Sequence, residues 1–142
     1  MTKNRKIYLL LSLFFMASSG VAIYLLDTFF QVETDYGTRS NPWLSEMKLI
    51  HNGFNFLFIF CVGAIFPNHI YPGLVGKKKE RRGTGVFISL IIFFLVFSGV
   101  FLLYIGDEAI LNILEDLHWW GGVSFIVVFL FHLFKKRSNK GR

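Results

Sequence analysis

The stretch GVFISLIIFFLVFSGVFLLYI at residues 85–105 carries no charged residue. A helix needs about 20 apolar residues to cross the hydrocarbon core of a bilayer. Three further runs have the same character, at residues 7–26, 49–66 and 117–134. We therefore predict an all-α integral membrane protein with residues 1–142 as one membrane domain and transmembrane helices at about 7–26, 43–72, 85–105 and 108–134.

Charge predicts the orientation of these helices. Thirteen of the 15 Lys and Arg residues lie at 3–6, 77–82 and 135–142, whereas eight of the nine acidic residues lie in the two other loops. An excess of Lys and Arg marks cytoplasmic loops. We expect cytoplasmic termini, an up-down-up-down four-helix bundle in contact with membrane lipid, and no nucleic-acid partner, because the basic residues are divided among three membrane-flanking segments.

The first helix has an alternative interpretation as a cleaved signal peptide, since MTKNRK precedes an apolar run and MASSG. The uncharged run at 7–26 is longer than a usual signal-peptide core, which favours a transmembrane helix.

Residues that typically start or end helices support the positions of the other three helices. Asn41 and Pro42 predict the start of the second helix, and Gly106 and Asp107 separate the third from the fourth. Pro67 and Pro72 predict a kink or an early end at the inner end of the second helix.

An internal repeat divides the chain into two helical hairpins. SGVAIYLLD at 19–27 in the first helix resembles SGVFLLYIGD at 98–107 in the third. Each is followed by a loop and a helix with an early histidine, His51 or His118, and a later one, His69 or His132. Parallel repeats of this kind occur in membrane proteins. We predict that helices 1–2 and 3–4 form equivalent hairpins.

All four histidines lie on the second and fourth helices, which are diagonal in an up-down bundle. At about 100° per residue, the 18 residues from His51 to His69 return to the same helix face, and the 14 from His118 to His132 miss it by about 40°. These spacings correspond to about 27 and 21 Å, so the histidines predict two separate sites. The difference of one turn leaves open that His69 lies outside the bundle, unless Pro67 or helix tilt absorbs it.

Two imidazoles at each level are too few for a closed zinc site, and no membrane-embedded acid is placed to complete one. Haem iron needs only two axial protein ligands. With Cys61 as the single cysteine, no Cys-x-x-Cys-His motif exists, so the haem would be b-type. We predict two haem b groups as the iron-containing cofactors, an outer one held by His51 and His118 and an inner one held by His69 and His132. The alternative is that these histidines bind no cofactor and only form hydrogen bonds between helices.

Four glycines lie near the level predicted for the outer haem. Gly121 and Gly122 follow His118 by three and four residues, and Gly20 and Gly99 lie at the level of the outer histidines. Glycine permits close approach of a flat cofactor or of another helix, and both alternatives stay open. Phe58 and Phe125, each seven residues past an outer histidine, are expected between the two haem levels, and Asn55 is expected to form an interhelical hydrogen bond.

These motifs resemble a bacterial family of small four-helix membrane proteins, similar in layout to the cytochrome b-type membrane subunits of hydrogenases and formate dehydrogenases. The residues that carry the resemblance are Trp43, KLIH at 48–51, PNH at 67–69, the Ser-Gly…Tyr…Gly-Asp run of the third helix, LHWW at 117–120 and the terminal FHLF. The resemblance implies a di-haem electron carrier in the bacterial cytoplasmic membrane, working between quinone and a partner redox protein.

The expected function is therefore electron transport across the bilayer by an oxidoreductase subunit. No catalytic residue is assigned, because the cytoplasmic tail is too short for a catalytic domain and chemistry on a soluble substrate would need another subunit. Two alternatives remain: a single-haem cytochrome that uses His51 and His118 only, and a haem-free structural or assembly subunit.

Overall fold

Long apolar helices dominate the computed structural model, which describes residues 2–75 and 82–134. The elements are α1 (Lys3–Thr28), β1 (Val32–Thr34), β2 (Gly37–Arg39), α2 (Leu44–Ile65), a π-helical segment (Phe66–Ile70), α3 (Tyr71–Val75), α4 (Arg82–Tyr104) and α5 (Glu108–Phe134). Within the described ranges, four helical runs are long and apolar enough to cross a membrane: Lys3–Thr28, Leu44–Val75, Gly83–Tyr104 and Glu108–Phe134. The predicted all-α class is confirmed, as is the number of helices that are long and apolar enough to cross a membrane.

The ends of the helices differ from the predicted ones by a few residues. The first helix begins at Lys3 instead of residue 7, because Lys and Arg are good helix formers and extend the helix past the apolar run. The third begins at Arg82 instead of residue 85. The fourth was predicted at 108–134 and occupies Glu108–Phe134. Composition therefore locates the spans well, and the charged flanks continue the helices.

The chain forms two compact units, Met1–His69 and Ile70–Arg142. In the first unit α1 packs against α2, and in the second unit α4 packs against α5 and contacts α3. These are the two hairpins that the sequence repeat predicts. Their assembly into one up-down-up-down bundle stays a prediction.

Large apolar side chains cover the outside of the helices. Tyr8, Phe56, Phe60, Phe93 and Phe134 are all more than 60% exposed. The buried side chains are fewer, and they include Leu9, Leu13, Phe58 and Ile65 of the first unit and Phe125 and Phe129 of the second. A helix that is apolar all round needs an apolar environment, which a bilayer provides.

The α-helix α2 ends at Ile65, two residues before Pro67, which confirms the predicted early end. Phe66–Ile70 forms a π-helical turn, and the helical run continues to Val75. Proline lacks the N–H that an α-helix needs and crowds the carbonyl one turn earlier, and a wider turn relieves both. The distortion therefore changes the angular phase of every residue after Ile65.

The loop between α1 and α2 contains a short hairpin that the sequence patterns did not predict. Val32 pairs with Arg39 and Thr34 with Gly37, whose φ of 110° suits glycine. Such short strands give no periodic signal that could be recognised. The hairpin occupies most of the chain between the two helices.

Two polar side chains accept backbone hydrogen bonds next to the helix starts. The Trp43 N–H donates to Asn41 Oδ1 at 3.0 Å, but α2 begins at Leu44, so Asn41 caps the preceding turn and not the helix as predicted. The Ile110 N–H donates to Asp107 Oδ1 at 3.0 Å, which confirms Asp107 as the cap of α5. The Asp107 contact therefore fixes the start of α5, whereas the Asn41 contact fixes the turn that leads into α2.

Candidate functional site

His51 lies on α2 with one edge of its ring against α1. Its Nδ1 is 3.0 Å from the Met16 carbonyl oxygen and 3.2 Å from Ser19 Oγ. A Cβ built on Gly20 would come within 3.2 Å of His51 Cε1. The imidazole is therefore held by a hydroxyl and fits because the next residue has no side chain. We call such a pair a histidine seat. It consists of a hydroxyl residue followed by a glycine, and both contact one imidazole.

The second unit repeats this arrangement at His118. Its Nδ1 is 2.8 Å from Ser98 Oγ, and a Cβ on Gly99 would lie 3.3 Å from His118 Cε1. Ser19 and Ser98 are both buried, at 6% and 2% exposure. The sequence repeat thus corresponds to a repeated contact between a serine–glycine pair and a histidine.

The hydrogen-bond partners fix the tautomer of the His51 ring. The Met16 carbonyl, 3.0 Å from Nδ1, can only accept a hydrogen bond, so His51 carries hydrogen on Nδ1. Its Nε2 then carries the ring lone pair, as metal ligation through Nε2 requires. The hydroxyl of Ser98 either accepts from His118 Nδ1–H and donates to Leu95 O at 3.2 Å, or donates to Nδ1 itself.

A third seat receives His132. Its Nδ1 is 2.9 Å from Thr84 Oγ1, and a Cβ on Gly85 would lie 3.9 Å from its Cε1. The separation of Thr84 from Ser98 along the chain equals that of His118 from His132. Because α4 and α5 run antiparallel in their hairpin, equal spacings keep both contacts in register. The second unit therefore carries two seats at two levels.

His69 has different surroundings. It lies in the π-helical segment with an exposed side chain. Its predicted phase relation to His51 assumed an ideal α-helix, and that arithmetic does not hold across Phe66–Ile70. His118 and His132 both lie within uninterrupted α5, so the argument from their spacing stands.

The glycines serve helix packing within the hairpins. Gly20 and Gly99 face imidazole rings, so the expectation that they leave space for a cofactor edge is replaced by contact with a histidine. A Cβ on Gly121 would come within 3.0 Å of the Phe94 ring, whereas one on Gly122 would meet nothing within 4 Å. Of these two glycines, Gly122 is the one that retains open space beside it.

Position 54 of the first unit corresponds to Gly121 of the second. Here Phe54 stacks on Phe15 with ring centroids 4.9 Å apart. Phe15 corresponds in turn to Phe94, which packs on Gly121. At equivalent positions of the two helix pairs, the first unit therefore has two stacked rings. The second unit has one ring packed on a glycine.

The remaining candidate residues form no obvious ion site. Phe58 and Phe125 are buried, and their place between two haem levels stays a prediction. Cys61 is a free, half-buried thiol, and Asn55 is half-buried. Across residues 2–75 and 82–134, no group of three or more His, Cys, Asp or Glu side chains could hold a metal ion. Any metal held by these histidines would need further donor atoms.

Comparison of the chain with protein-family models, with curated proteins and with solved structures found no match. The chemistry of the site therefore follows from the histidine seats themselves. A neutral imidazole with Nδ1–H engaged can ligate a metal through Nε2, or it can serve only to join two helices. Sequence patterns alone missed Ser19, Ser98 and Thr84 as partners, although each stands directly before a glycine.

Proposed function

We propose that the protein is an integral membrane b-type cytochrome that carries electrons between a quinone pool and a partner redox protein. The observation that supports this most is the repeated seat, in which Nδ1 of His51 and Nδ1 of His118 each lie within hydrogen-bond distance of an oxygen of the neighbouring helix. Histidines that ligate metals almost always donate their other ring N–H in this manner, which fixes the tautomer and strengthens the ligand.

The donor set fits haem better than a bare ion. Four histidines would supply two axial imidazoles to each of two haems, which is the number that a six-coordinate haem takes from the protein. The gaps at Gly20 and Gly99 are matched to the imidazole rings themselves. His51 and His118 would hold the outer haem, and His69 and His132 the inner one. When bound, haem supplies reversible one-electron chemistry, with a potential tuned by its axial ligands.

Membrane insertion accords with the surface of the helices and with the distribution of charge. Tyr104 and Trp43, at ends of spanning helices that lead to the acidic loops, are 82% and 65% exposed and suit the outer membrane–water interface. The basic segments then lie in the cytoplasm with both termini. We place the protein in the bacterial cytoplasmic membrane as a multi-pass subunit.

The chain's own residues hold and orient the ligands. The stretch from His118 to His132 spans about 21 Å along α5, so the two levels lie towards opposite membrane faces. Buried Phe125 lies between these levels and excludes water from the interior of the hairpin. Stepwise electron transfer across the bilayer requires two fixed sites at such a separation.

A single-haem protein is the second candidate, and one observation favours it. His69 is exposed on the π-helical segment, whereas His51 and His118 both occupy seats. In this version only His51 and His118 would ligate iron, and His132 would join α4 to α5 through Thr84. A haem-free structural subunit is the third outcome that the test below separates.

The test is a reduced-minus-oxidised absorption spectrum of the purified protein and of three variants. We expect b-type bands in the wild type, and we expect His51→Ala and His118→Ala to lose the same spectral component. Ser124→Ala, an exposed position on α5, is the matched control and should leave the spectrum unchanged. Absence of reducible bands from the wild type would refute a cytochrome function, and loss of different components in the two variants would refute the pairing.

A further inference from the structure

The first unit carries basic side chains where the second unit has a histidine seat. The repeat that aligns Ser19 with Ser98 places Arg5 and Lys6 of α1 at the positions of the threonine and the glycine of the third seat. Both side chains are exposed. We call this end of the first unit, at which α1 begins, its inner end.

Arg5 and Lys6 lie on the stripe of α1 that faces α2. They precede the buried residue Leu9 by four and three positions, which is the spacing of one helix face, and buried Leu13 continues the same stripe. Long basic side chains can lay their apolar stems along a helix contact while their charged ends stay accessible. The two positive charges are therefore held beside α2 and not distributed around α1.

α1 and α2 run antiparallel, and two contacts give their register. Ser19 Oγ lies 3.2 Å from His51 Nδ1, and the ring of Phe15 stacks on the ring of Phe54. Each residue towards the start of α1 thus corresponds to about one residue towards the end of α2. This register brings the first turn of α1 level with the end of α2 and with the π-helical turn that follows it.

The π-helical turn adds His69, whose side chain is exposed and can donate a hydrogen bond. We call Lys3, Arg5, Lys6 and His69 the inner basic cluster, and all four belong to the first unit. The acidic residues of that unit all lie at 27–46, towards its opposite end. No carboxylate of the first unit therefore offsets the positive charge of the cluster.

From this arrangement we propose that the inner basic cluster binds the headgroup phosphate of an anionic phospholipid in the cytoplasmic leaflet. The proposal rests on the membrane insertion and orientation proposed above and does not depend on haem. The cluster adjoins the start of the apolar run at 7–26, so a lipid with its chains along the helices brings its phosphate to this level. Arg and Lys form charge-assisted hydrogen bonds with phosphate, and basic groups on the cytoplasmic side of spanning helices recognise anionic headgroups.

Native mass spectrometry of the purified chain, titrated with phosphatidylglycerol or with phosphatidylcholine of the same acyl chains, tests the proposal. We expect the wild type to bind phosphatidylglycerol more tightly. Each basic group near a membrane surface contributes about fivefold to the affinity for anionic lipid, so Arg5→Gln combined with Lys6→Gln should weaken phosphatidylglycerol binding by about 30-fold. Arg39→Gln combined with Lys48→Gln is the matched control, because it removes the same charges from exposed positions towards the opposite end of the unit and should leave binding unchanged.

The π-helical turn is tested by a second pair of variants. His69→Ala should weaken phosphatidylglycerol binding by a smaller factor than the double variant, because it removes one hydrogen-bond donor. Asn68→Ala, the exposed neighbour in the same turn, should bind as the wild type does. Equal weakening by both variants would remove His69 from the site.

Three results would overturn the lipid site. These are equal affinity of the wild type for the two lipids, equal weakening by the two double variants, and displacement of phosphatidylglycerol by inorganic phosphate, which would indicate a site for a free anion. Absorption spectra of the same samples separate this proposal from the cytochrome function. Reducible b-type bands without a preference for phosphatidylglycerol contradict the lipid site alone, and the preference without such bands contradicts the cytochrome alone.

Discussion

The hydroxyl of Ser98 offers the most specific perturbation of a histidine seat. Ser98→Ala removes the oxygen 2.8 Å from His118 Nδ1 and leaves the glycine beside it unchanged. An imidazole that donates Nδ1–H gains negative character at Nε2 and stabilises oxidised iron more than reduced iron. Loss of the acceptor should therefore raise the midpoint potential of the outer haem.

The size of the shift follows from the strength of one buried hydrogen bond. Such a bond contributes about 1 kcal/mol net, and about 1.36 kcal/mol corresponds to about 59 mV for one electron. If half or more of that energy distinguishes the two iron states, the potential rises by about 20 to 40 mV. Ser19→Ala should give a smaller shift, because the Met16 carbonyl still accepts from His51 Nδ1 at 3.0 Å.

Redox titration of the variants in detergent measures these shifts. Ser98→Thr should restore the wild-type potential, since Thr84 fills the same role in the third seat. Ser12→Ala is the matched control, because Ser12 is 1% exposed and its hydroxyl donates to Leu9 O within α1. A shift of the same size in Ser12→Ala, or none in Ser98→Ala with both haems bound, would refute the role of the Ser98 hydroxyl in tuning the ligand.

Three further predictions concern single residues. Gly99→Ala should lower the outer-haem content, because its Cβ would lie 3.3 Å from His118 Cε1. Gly122→Ala should leave the haem content unchanged, because its Cβ would meet nothing within 4 Å. Haem extraction after purification measures the haem content of both variants. Thr84→Ala should shift the potential of the inner haem alone in the same titration, and a shift confined to the outer haem would contradict the third seat. Asp107→Ala should destabilise the second hairpin by about 1 kcal/mol through loss of the α5 cap, seen as a lower thermal midpoint with unchanged spectra.

The four long apolar helices could be predicted because uncharged runs of membrane length have few other interpretations. α5 was located at its observed ends, since Asp107 is a strong capping signal and the apolar segment ends at Phe134. The start of α2 was placed slightly early, because Asn41 was assumed to cap the helix and instead caps the turn before it. Local capping signals therefore locate a helix boundary to within a few residues.

The seats were recognisable in part from the sequence. Ser-Gly at 98–99 and Thr-Gly at 84–85 have the same separation as His118 and His132, and antiparallel helices keep such spacings in register. What the sequence could not supply is the rotation of α4 about its axis, which decides whether Gly99 faces an imidazole or open space. The π-helical turn could not be predicted from the sequence either, because the effect of Pro67 depends on the packing of the turns around it.

Haem quantification per chain, after acid–acetone extraction of the purified wild-type protein, tests the central claim most directly. Non-covalent haem at two levels of histidines predicts two extractable haems per chain. One haem per chain would remove His69 and His132 from the ligands and leave the seats of His51 and His118 as the single site. A protein with no extractable haem would contradict the cytochrome function and would leave the histidine seats as contacts that join helices.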